Sequence, residues 1–563
     1  MEKRFTNPWV RNLGLIMLFF ITTALMILPL LKAHQMIIVS DWTFHASRVE
    51  EIFRNLQAGE WYTAIATHTF QGTGVASWLF YPTPMLYIWA GLRFIFAPIT
   101  AFYIWIGMFI FIGFLIDYWC MMRVVNNPWQ SVLFAYAYSL LPYRILLGLN
   151  VYTLAEFIAT LFIPLVFASF YGILRNQPKA WIALSAGMAL VVYTHLLTAI
   201  IAVEIMGVIM IVRVIWQRHF VKLEWLRLLQ SGVMSLILVL PILIPFVSDF
   251  IGKNIATAAP GITMLANFDD VIKSSIGNRM QPGIGLALLL VIVFSFKLKK
   301  TPTIYRLCAL MGTILLIIST SLVPWHLLQS TPLAIIQMPY RYLSFAGLFL
   351  AVSFSKLIYD WSNSHGMPLQ PNVMMSIIVV VLIIFNFGAL SDTITGNTAG
   401  NRLPNLGRAK TTKVIPDQAL ITNHNYSNQF TYQVKYGEID YYPKVSQGNA
   451  QNIVNNVTYI NNRAKHLIKH IGPNKISYHV NLKSDKIVNL PVLKYTRTTL
   501  NVDGYYIKPQ TSWRGTVQAK ISAGKHTITV GYQKSPLLIP SIIVAIIAWV
   551  CLGYFTFANK IKR

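Results

Sequence analysis

The sequence predicts a polytopic α-helical membrane protein of about twelve spans with a β-rich external domain near its C-terminus. Three observations carry this prediction. The 563 residues are 55% hydrophobic and only 12% charged. Apolar segments of spanning length recur through the first 390 residues, and the composition then turns polar from 391 to 535 before a last apolar run.

The first run, Leu13 to Leu31, is longer than a signal-peptide core, and no small-residue cleavage site follows it. It reads as a retained first span with MEKR on the cytoplasmic side. Further spans are expected near 100–122, 130–148, 153–174, 180–195, 197–216, 228–248, 283–298, 303–322, 340–358, 373–390 and 537–556. With this count RNQPK (175–179), the Arg213 to Arg227 cluster, KLKK (297–300) and the terminal KIKR all fall on the cytoplasmic side. Counting FYPTPMLYIWAGLRFIFAPI (80–99) as a span would break that agreement, and its Pro82, Pro84, Arg93 and Pro98 suit a non-spanning juxtamembrane element. The expected organisation is a transmembrane domain over 1–390 with a large external loop at 40–99, an external soluble domain over 391–535, and a last span with a basic cytoplasmic tail over 536–563.

The formal charge of +27 sits in short loops and in the polar region, a distribution that argues against nucleic acid as a partner. Between 391 and 535 there are 19 Lys and Arg against 6 Asp and Glu, with strand-like alternation in KHTITVGY (525–532). Such a surface either faces anionic envelope polymers and lipid headgroups or simply keeps the domain soluble. Cys120, Cys308 and Cys551 lie in apolar runs without metal-like spacing, so neither a disulfide framework nor a zinc site is supported.

Acids are scarce before residue 391, which shortens the search for chemistry. In SDWTFHASRVEEI (40–52), Asp41, His45 and Arg48 share one helical stripe: a carboxylate to act as base or metal ligand, an imidazole, and a guanidinium to clamp phosphate. The bland alternative is an interfacial helix start, with Ser40 or Asp41 as N-cap and the rest, Glu50 and Glu51 included, on a solvated face. Glu156 follows a polar break in LPYRILLGLNVYTLAEFIA, where Arg144 is the nearest opposite charge, as a structural ion pair or part of a site. His195 in YTHLLT is a site residue or a packing histidine, and Glu204 a packing residue. Arg341 in IIQMPYRYLSF binds a pyrophosphate or snorkels. His68 and Asp117 are weaker candidates, and no Gly-rich phosphate loop, zincin motif or nucleophile elbow is present.

These segments carry a resemblance. A first span ending in Asp41, a long external loop with YPTPMLY, and many further spans resemble the GT-C superfamily of integral-membrane glycosyltransferases. More closely, DWTFHASRVEEI, YPTPMLYIWAGL, LPYRILLGLNVYTLAEFIA, YTHLLT, QMPYRYLSF and SAGKHTITVGYQKSPLLIPSIIV resemble bacterial YfhO-like and 6-pyruvoyl-tetrahydropterin-synthase-related membrane proteins. The resemblance implies a GT-C-like fold in a bacterial cell membrane and sugar transfer from a polyprenyl-phosphate carrier to an external acceptor: an envelope glycan, teichoic acid or glycolipid. It implies a catalytic group of Asp41, His45 and Glu156, with Arg48, Arg144, His195 and Arg341 binding substrate. No cofactor is required by the sequence; a divalent metal is left open, because no second acid adjoins Asp41. Two rival classes stand beside this one: a transporter or flippase of lipid-linked sugars, and a non-catalytic envelope-assembly protein.

Overall fold

The computed structural model describes residues 8–257, 261–364, 367–398 and 403–557. The basic ends MEKR and KIKR, used above to orient the chain, lie outside the described residues. Among the described residues seven helices are long and apolar enough to cross a membrane, or nine if each of two bent pairs is one span. The remaining apolar segments form shorter helices, so all twelve expected spans are helical, although not all have spanning length.

The first span, α1 (Pro8–Ala33), leads into a short strand β1 (Gln35–Ile38) and the buried helix α2 (Trp42–Gln57). Helix α2 ends at Gly59, whose φ of +79° fits the left-handed turn that stops a helix. Two short helices follow, α3 (Ser77–Phe80) and α4 (Pro84–Leu92), so the proline-containing segment indeed forms no spanning helix.

The bundle continues with α5 (Pro98–Val125), α6 (Pro128–Ser139), α7 (Pro142–Leu149), α8 (Leu154–Leu174), α9 (Ala180–Val192) and α10 (Leu196–Gln217). Pro142 breaks α6 from α7 at a 49° bend. Pro164 lies inside α8, where it cannot donate to the Thr160 carbonyl; the Tyr138 hydroxyl donates to that oxygen instead at 3.2 Å. Helices α11 (Lys222–Leu238) and α12 (Leu240–Asp249) meet at 74° next to Pro241. Helix α13 (Phe268–Ile276) is amphipathic, and α14 (Leu286–Phe294), α15 (Thr303–Ile318), α16 (Leu343–Ser362) and α17 (Pro371–Thr398) complete the main bundle.

The polar region divides in two. From Leu406 to Tyr442 its apolar side chains join the core of the helical body, and β2 (Ala419–Thr422) pairs antiparallel with β1. Helices α18 (Lys444–Gln447) and α19 (Ala450–Val454) lead into β3 (Val457–Ile460), β4 (Arg463–His466), β5 (Lys469–Gly472), β6 (Lys475–Leu482), β7 (Lys486–Leu493), β8 (Thr498–Val502), β9 (Tyr505–Ile507), β10 (Gln510–Thr511), β11 (Thr516–Ile521) and β12 (Gly524–Tyr532). They form two five-stranded antiparallel sheets, ordered β10-β11-β7-β3-β4 and β5-β6-β12-β8-β9. Alternation along β6 and β12 turns Val480, Ile528 and Val530 inward against Val488, Leu490 and Val517, giving the sandwich a core of its own. Helix α20 (Leu538–Phe557) returns the chain to the bundle.

The 40–99 loop is clamped under this cap. The Trp42 indole donates to Gln429 at 2.8 Å, Asn474 accepts from the Ala64 amide at 2.7 Å, and Lys534 reaches Glu60 at 2.8 Å. Glu50 and Glu51 correct the expectation of a solvated face: both are buried. Glu50 pairs with Arg54 and Arg93, while the Glu51 carboxylate accepts from the backbone amides of Thr67, His68 and Thr69 and from both threonine hydroxyls. The reason is that α2 packs on every side, against the bundle, the loop and the cap.

Candidate functional site

Three turns of left-handed backbone introduce the site. Ser40, Tyr152 and Gln337, all non-glycine residues, take φ of 48°, 54° and 63°. They stand just before Asp41, the Glu156 helix and Arg341. Backbone in this region is strained for a side chain larger than glycine and is retained where surrounding packing holds it.

Asp41 is the N-cap residue of α2, yet its side chain makes no capping hydrogen bond. Among the described residues it accepts one long hydrogen bond, from the Ser40 hydroxyl at 3.4 Å, so the carboxylate is left to other work. Burial pushes the Asp41 carboxyl up to about 6 against the pull of the Arg341 guanidinium and Ser40, while Asp440 and Glu156 push it the same way as burial. Those causes also define its neighbours. Asp440, raised to about 6 by burial, comes from the polar C-terminal region.

Asp440 is the residue that sequence reasoning missed. Its loop reaches the site because Gly437 sits flat on α2 with φ +86°; a Cβ there would stand 2.5 Å from the Phe44 ring. The signal was present in GEIDYY (437–442), which holds two of only six acids in the polar region beside paired tyrosines.

One and two turns along α2, His45 and Arg48 are buried. Arg48 donates to the carbonyls of Tyr81 and Pro82 and, at 2.6 Å, to the Thr83 hydroxyl, and its guanidinium lies 5.0 Å from the Tyr81 ring centre. It therefore anchors the YPTP turn. Its Nε and second terminal nitrogen, with His45 Nδ1, are buried without a hydrogen-bond partner among the described residues. Burial, aided by the Arg48 charge, pushes His45 down to about 3, so the imidazole is neutral.

The other wall comes from the bundle. Glu156, in the first turn of α8, accepts from the Tyr143 hydroxyl at 2.8 Å and from Arg341 Nε at 3.2 Å. Arg341 also donates to the Ile336 carbonyl at 2.7 Å. His195 shares a 2.8 Å hydrogen bond with Thr198 at the start of α10 and lies in electrostatic range of Arg341 and His45. The structure thus gathers Asp41, His45, Arg48, Glu156, His195 and Arg341 around one centre.

Arg144 is not among them. Its expected partner Glu156 is corrected to Asp117, at 2.8 Å and fully buried, which also accepts from Ser139 at 2.6 Å. Asp117 thereby ties the last residue of α6 and the first turn of α7 to α5 across the Pro142 break. Glu204 accepts from the Tyr342 hydroxyl at 2.7 Å, a packing contact. His68 donates its backbone amide to Glu51.

The site can do three things at one depth. It offers a carboxylate held near neutrality, a guanidinium next to it, and buried donors with capacity to spare. Among the described residues no group of three or more His, Cys, Asp and Glu could hold a metal ion; Asp41 and Asp440 are a pair of acids only.

The class defined by fold and site is a polytopic membrane protein with a charged, enclosed centre between its helical bundle and a β-rich cap. No protein-family model matches the sequence, and no curated protein does. Among solved structures the chain is similar to ArnT from Cupriavidus metallidurans bound to undecaprenyl phosphate, at 11% identity and a TM-score of 0.42, over 76% of this chain and 87% of that one. It is similar also to the arabinofuranosyltransferase AftD from Mycobacteria, at 13% identity and a TM-score of 0.42, over 92% of this chain. This chain spans 40% of the length of AftD.

Proposed function

We propose that the protein is a membrane glycosyltransferase that moves a sugar from a polyprenyl-phosphate carrier to an acceptor hydroxyl in the bacterial cell envelope. The observation that carries this reading is the placement of Asp41 and Asp440 beside the Arg341–Glu156 pair. A proton acceptor and a phosphate-binding cation are what the transfer needs at its two ends.

In the proposed step Asp41 accepts the proton of the acceptor hydroxyl as that oxygen forms its bond to the anomeric carbon. The bond from that carbon to the phosphate oxygen breaks, its electron pair leaves with the carrier phosphate, and the anomeric configuration inverts. Arg341, steered by Glu156 and the Ile336 carbonyl, faces the negative charge that grows on the phosphate. His45, neutral, and Arg48 supply donors from α2, and His195 adds a further polar group. Asp440 raises the basicity of Asp41 by placing a second carboxylate close to it. Should a divalent ion take part, Asp41 and Asp440 are the two carboxylates that would meet it, and no step above passes through one.

The acceptor is proposed to be an envelope glycan, a teichoic acid or a glycolipid, reached on the external face under the sandwich. The termini are proposed to be cytoplasmic. The test is sugar transfer by the purified protein in lipid, with a panel of polyprenyl-phosphate sugars and with Asp41→Asn beside the wild type. Loss of transfer in a normally folded variant supports the reading; equal transfer by both removes Asp41 from catalysis. Movement of the carrier across the bilayer without transfer would make the protein a flippase instead.

A further inference from the structure

We infer that a second site, at the opposite end of the bundle from Asp41, binds an anionic phospholipid through a basic mouth and an apolar interior. Helix α5 starts beside the cap, where the Ile99 amide donates to Asn423, and Arg123 lies about 36 Å further along it at 1.5 Å per residue. Together with Gln177 and Lys179 from the turn between α8 and α9, Arg123 borders a cleft of about 330 Å³. That cleft shares Cys120, Val124, Ala168 and Tyr171 with a neighbouring apolar cavity of about 140 Å³, walled by side chains such as Phe134, Pro164 and Phe349. The two adjoin along these four residues, and the proposed passage runs from the cationic cleft to the apolar cavity.

The entrance has charge to spare. Arg123 stacks over Trp119, its guanidinium carbon 3.9 Å from the ring centre, and no carboxylate pairs with it among the described residues. Lys179 donates to the carbonyls of Phe555 and Thr556 at the C-terminal end of α20, and no carboxylate pairs with it among the described residues. The nearest acid along α5, Asp117, is already held by Arg144. A phosphate accepts the remaining N–H groups of both cations and of Gln177.

The apolar cavity is the reason for a hydrocarbon chain on the ligand. It is lined almost entirely by carbon and sulfur, so it excludes water and accepts an apolar group, and the protein is bathed in lipid. Proline at position 164 removes one rung of the α8 ladder at the wall, where a chain can lie along the helix. A single-headed amphiphile thus meets both halves of the passage, which a free phosphate cannot.

The test is native mass spectrometry of the full chain released from micelles after mixing with phosphatidylglycerol, phosphatidylcholine, or glycerol phosphate as a chainless control. One molecule of phosphatidylglycerol retained in at least tenfold preference to phosphatidylcholine, with retention reduced at least fivefold by Arg123→Gln and by Ala168→Trp, is the expected result. Arg123→Gln removes the charge and Ala168→Trp fills the passage, so the two halves are probed separately. Circular dichroism melting accompanies both, and Ala168→Leu replaces the tryptophan variant if that one does not fold. Equal retention of both lipids, or retention unmoved by either change, overturns the site. Glycerol phosphate displacing the lipid at equal concentration overturns the role of the chain.

Discussion

Arg341 Nε stands 3.2 Å from Glu156 Oε2, with both side chains buried and the two residues 185 positions apart in sequence. The pair locks the start of α16 onto the start of α8 and leaves Arg341 pointing its charge toward Asp41. Removing one partner of such a pair leaves the other uncompensated, at about 3–5 kcal/mol. Glu156→Gln is expected to lower thermal stability, and to reduce sugar transfer by about 10²–10³-fold through the misplaced guanidinium. Steady-state transfer with a melting curve for the same preparation checks both.

Asp41 sets a pH dependence. Its folded-state value, raised to about 6, lies above its ordinary carboxylate value, so between about pH 4 and 6 the folded protein holds more proton than the unfolded chain. Stability contributed by this group is therefore greatest in acid and falls as pH rises through that window. Under the proposed mechanism transfer uses the carboxylate, so it is expected to move the other way and to rise with a midpoint near 6. Asp41→Asn is expected to flatten the stability change over this range and to abolish the rise in transfer. Asp440 titrates in the same range, so the profile belongs to the pair. A kcat/KM profile independent of pH from 5 to 8 would count against Asp41 as the proton acceptor.

Glu51 organises the loop beneath the cap. Five groups of residues 67–69 donate to its two oxygens. Glu51→Gln exchanges one acceptor oxygen for a donor facing other donors, and about 2–4 kcal/mol of stability is expected to go with it. Hydrogen exchange at the amides of Thr67, His68 and Thr69 should quicken by a comparable free energy, ahead of exchange in the sandwich strands.

Arg144 separates a structural from a substrate role. Arg144→Met alone strands Asp117 in the bundle and is expected to cost about 3–5 kcal/mol. The double variant Asp117→Leu with Arg144→Met removes both charges and should regain most of that loss. If Arg144 acts only through the α6–α7 break, transfer in the double variant returns to within about threefold of wild type. A double variant that melts normally but transfers nothing would instead return Arg144 to the substrate.

The helical framework was legible because membrane spanning imposes apolar length, and that signal is local. All twelve apolar segments are helices, and the placement of the basic loops, supported by the prolines and Arg93 of 80–99, kept that segment from being counted. Asp41, His45, Glu156, His195 and Arg341 could be picked out because charge is scarce in an apolar chain. Their partners could not. Whether Arg144 meets Asp117 or Glu156 depends on how α7 turns at Pro142, which no local pattern states. Glu50 and Glu51 looked solvated because α2 has mixed composition, and the groups that cover them, Arg93 and residues 67–69, come from the irregular loop that follows it. The segment 403–455 hid its attachment to the bundle for a related reason: its apolar residues come singly or in runs of two or three among Asn, Thr and Lys, without a period to reveal what they face.

Asp440 tests whether the cap is part of the site or only its cover. It joins Asp41 from a loop held on α2 by the Gly437–Phe44 contact and on the sandwich by the hydrogen bond from the Tyr495 hydroxyl to the Tyr441 carbonyl. Asp440→Asn removes the neighbouring negative charge while keeping the shape, so the midpoint of the transfer profile should move to lower pH, because Asp41 then ionises more readily. Gly437→Ala acts differently: it adds a Cβ against Phe44 in a backbone region that alanine disfavours, and it should lift the loop without changing any charge. The expected pattern is a shifted profile with near-normal melting for Asp440→Asn, and for Gly437→Ala a reduced maximal rate with lowered melting and a midpoint shifted the same way, because the lifted loop carries Asp440 with it. An unshifted midpoint in Asp440→Asn would mean that the two carboxylates do not share a site, and that the cap meets α2 for stability alone.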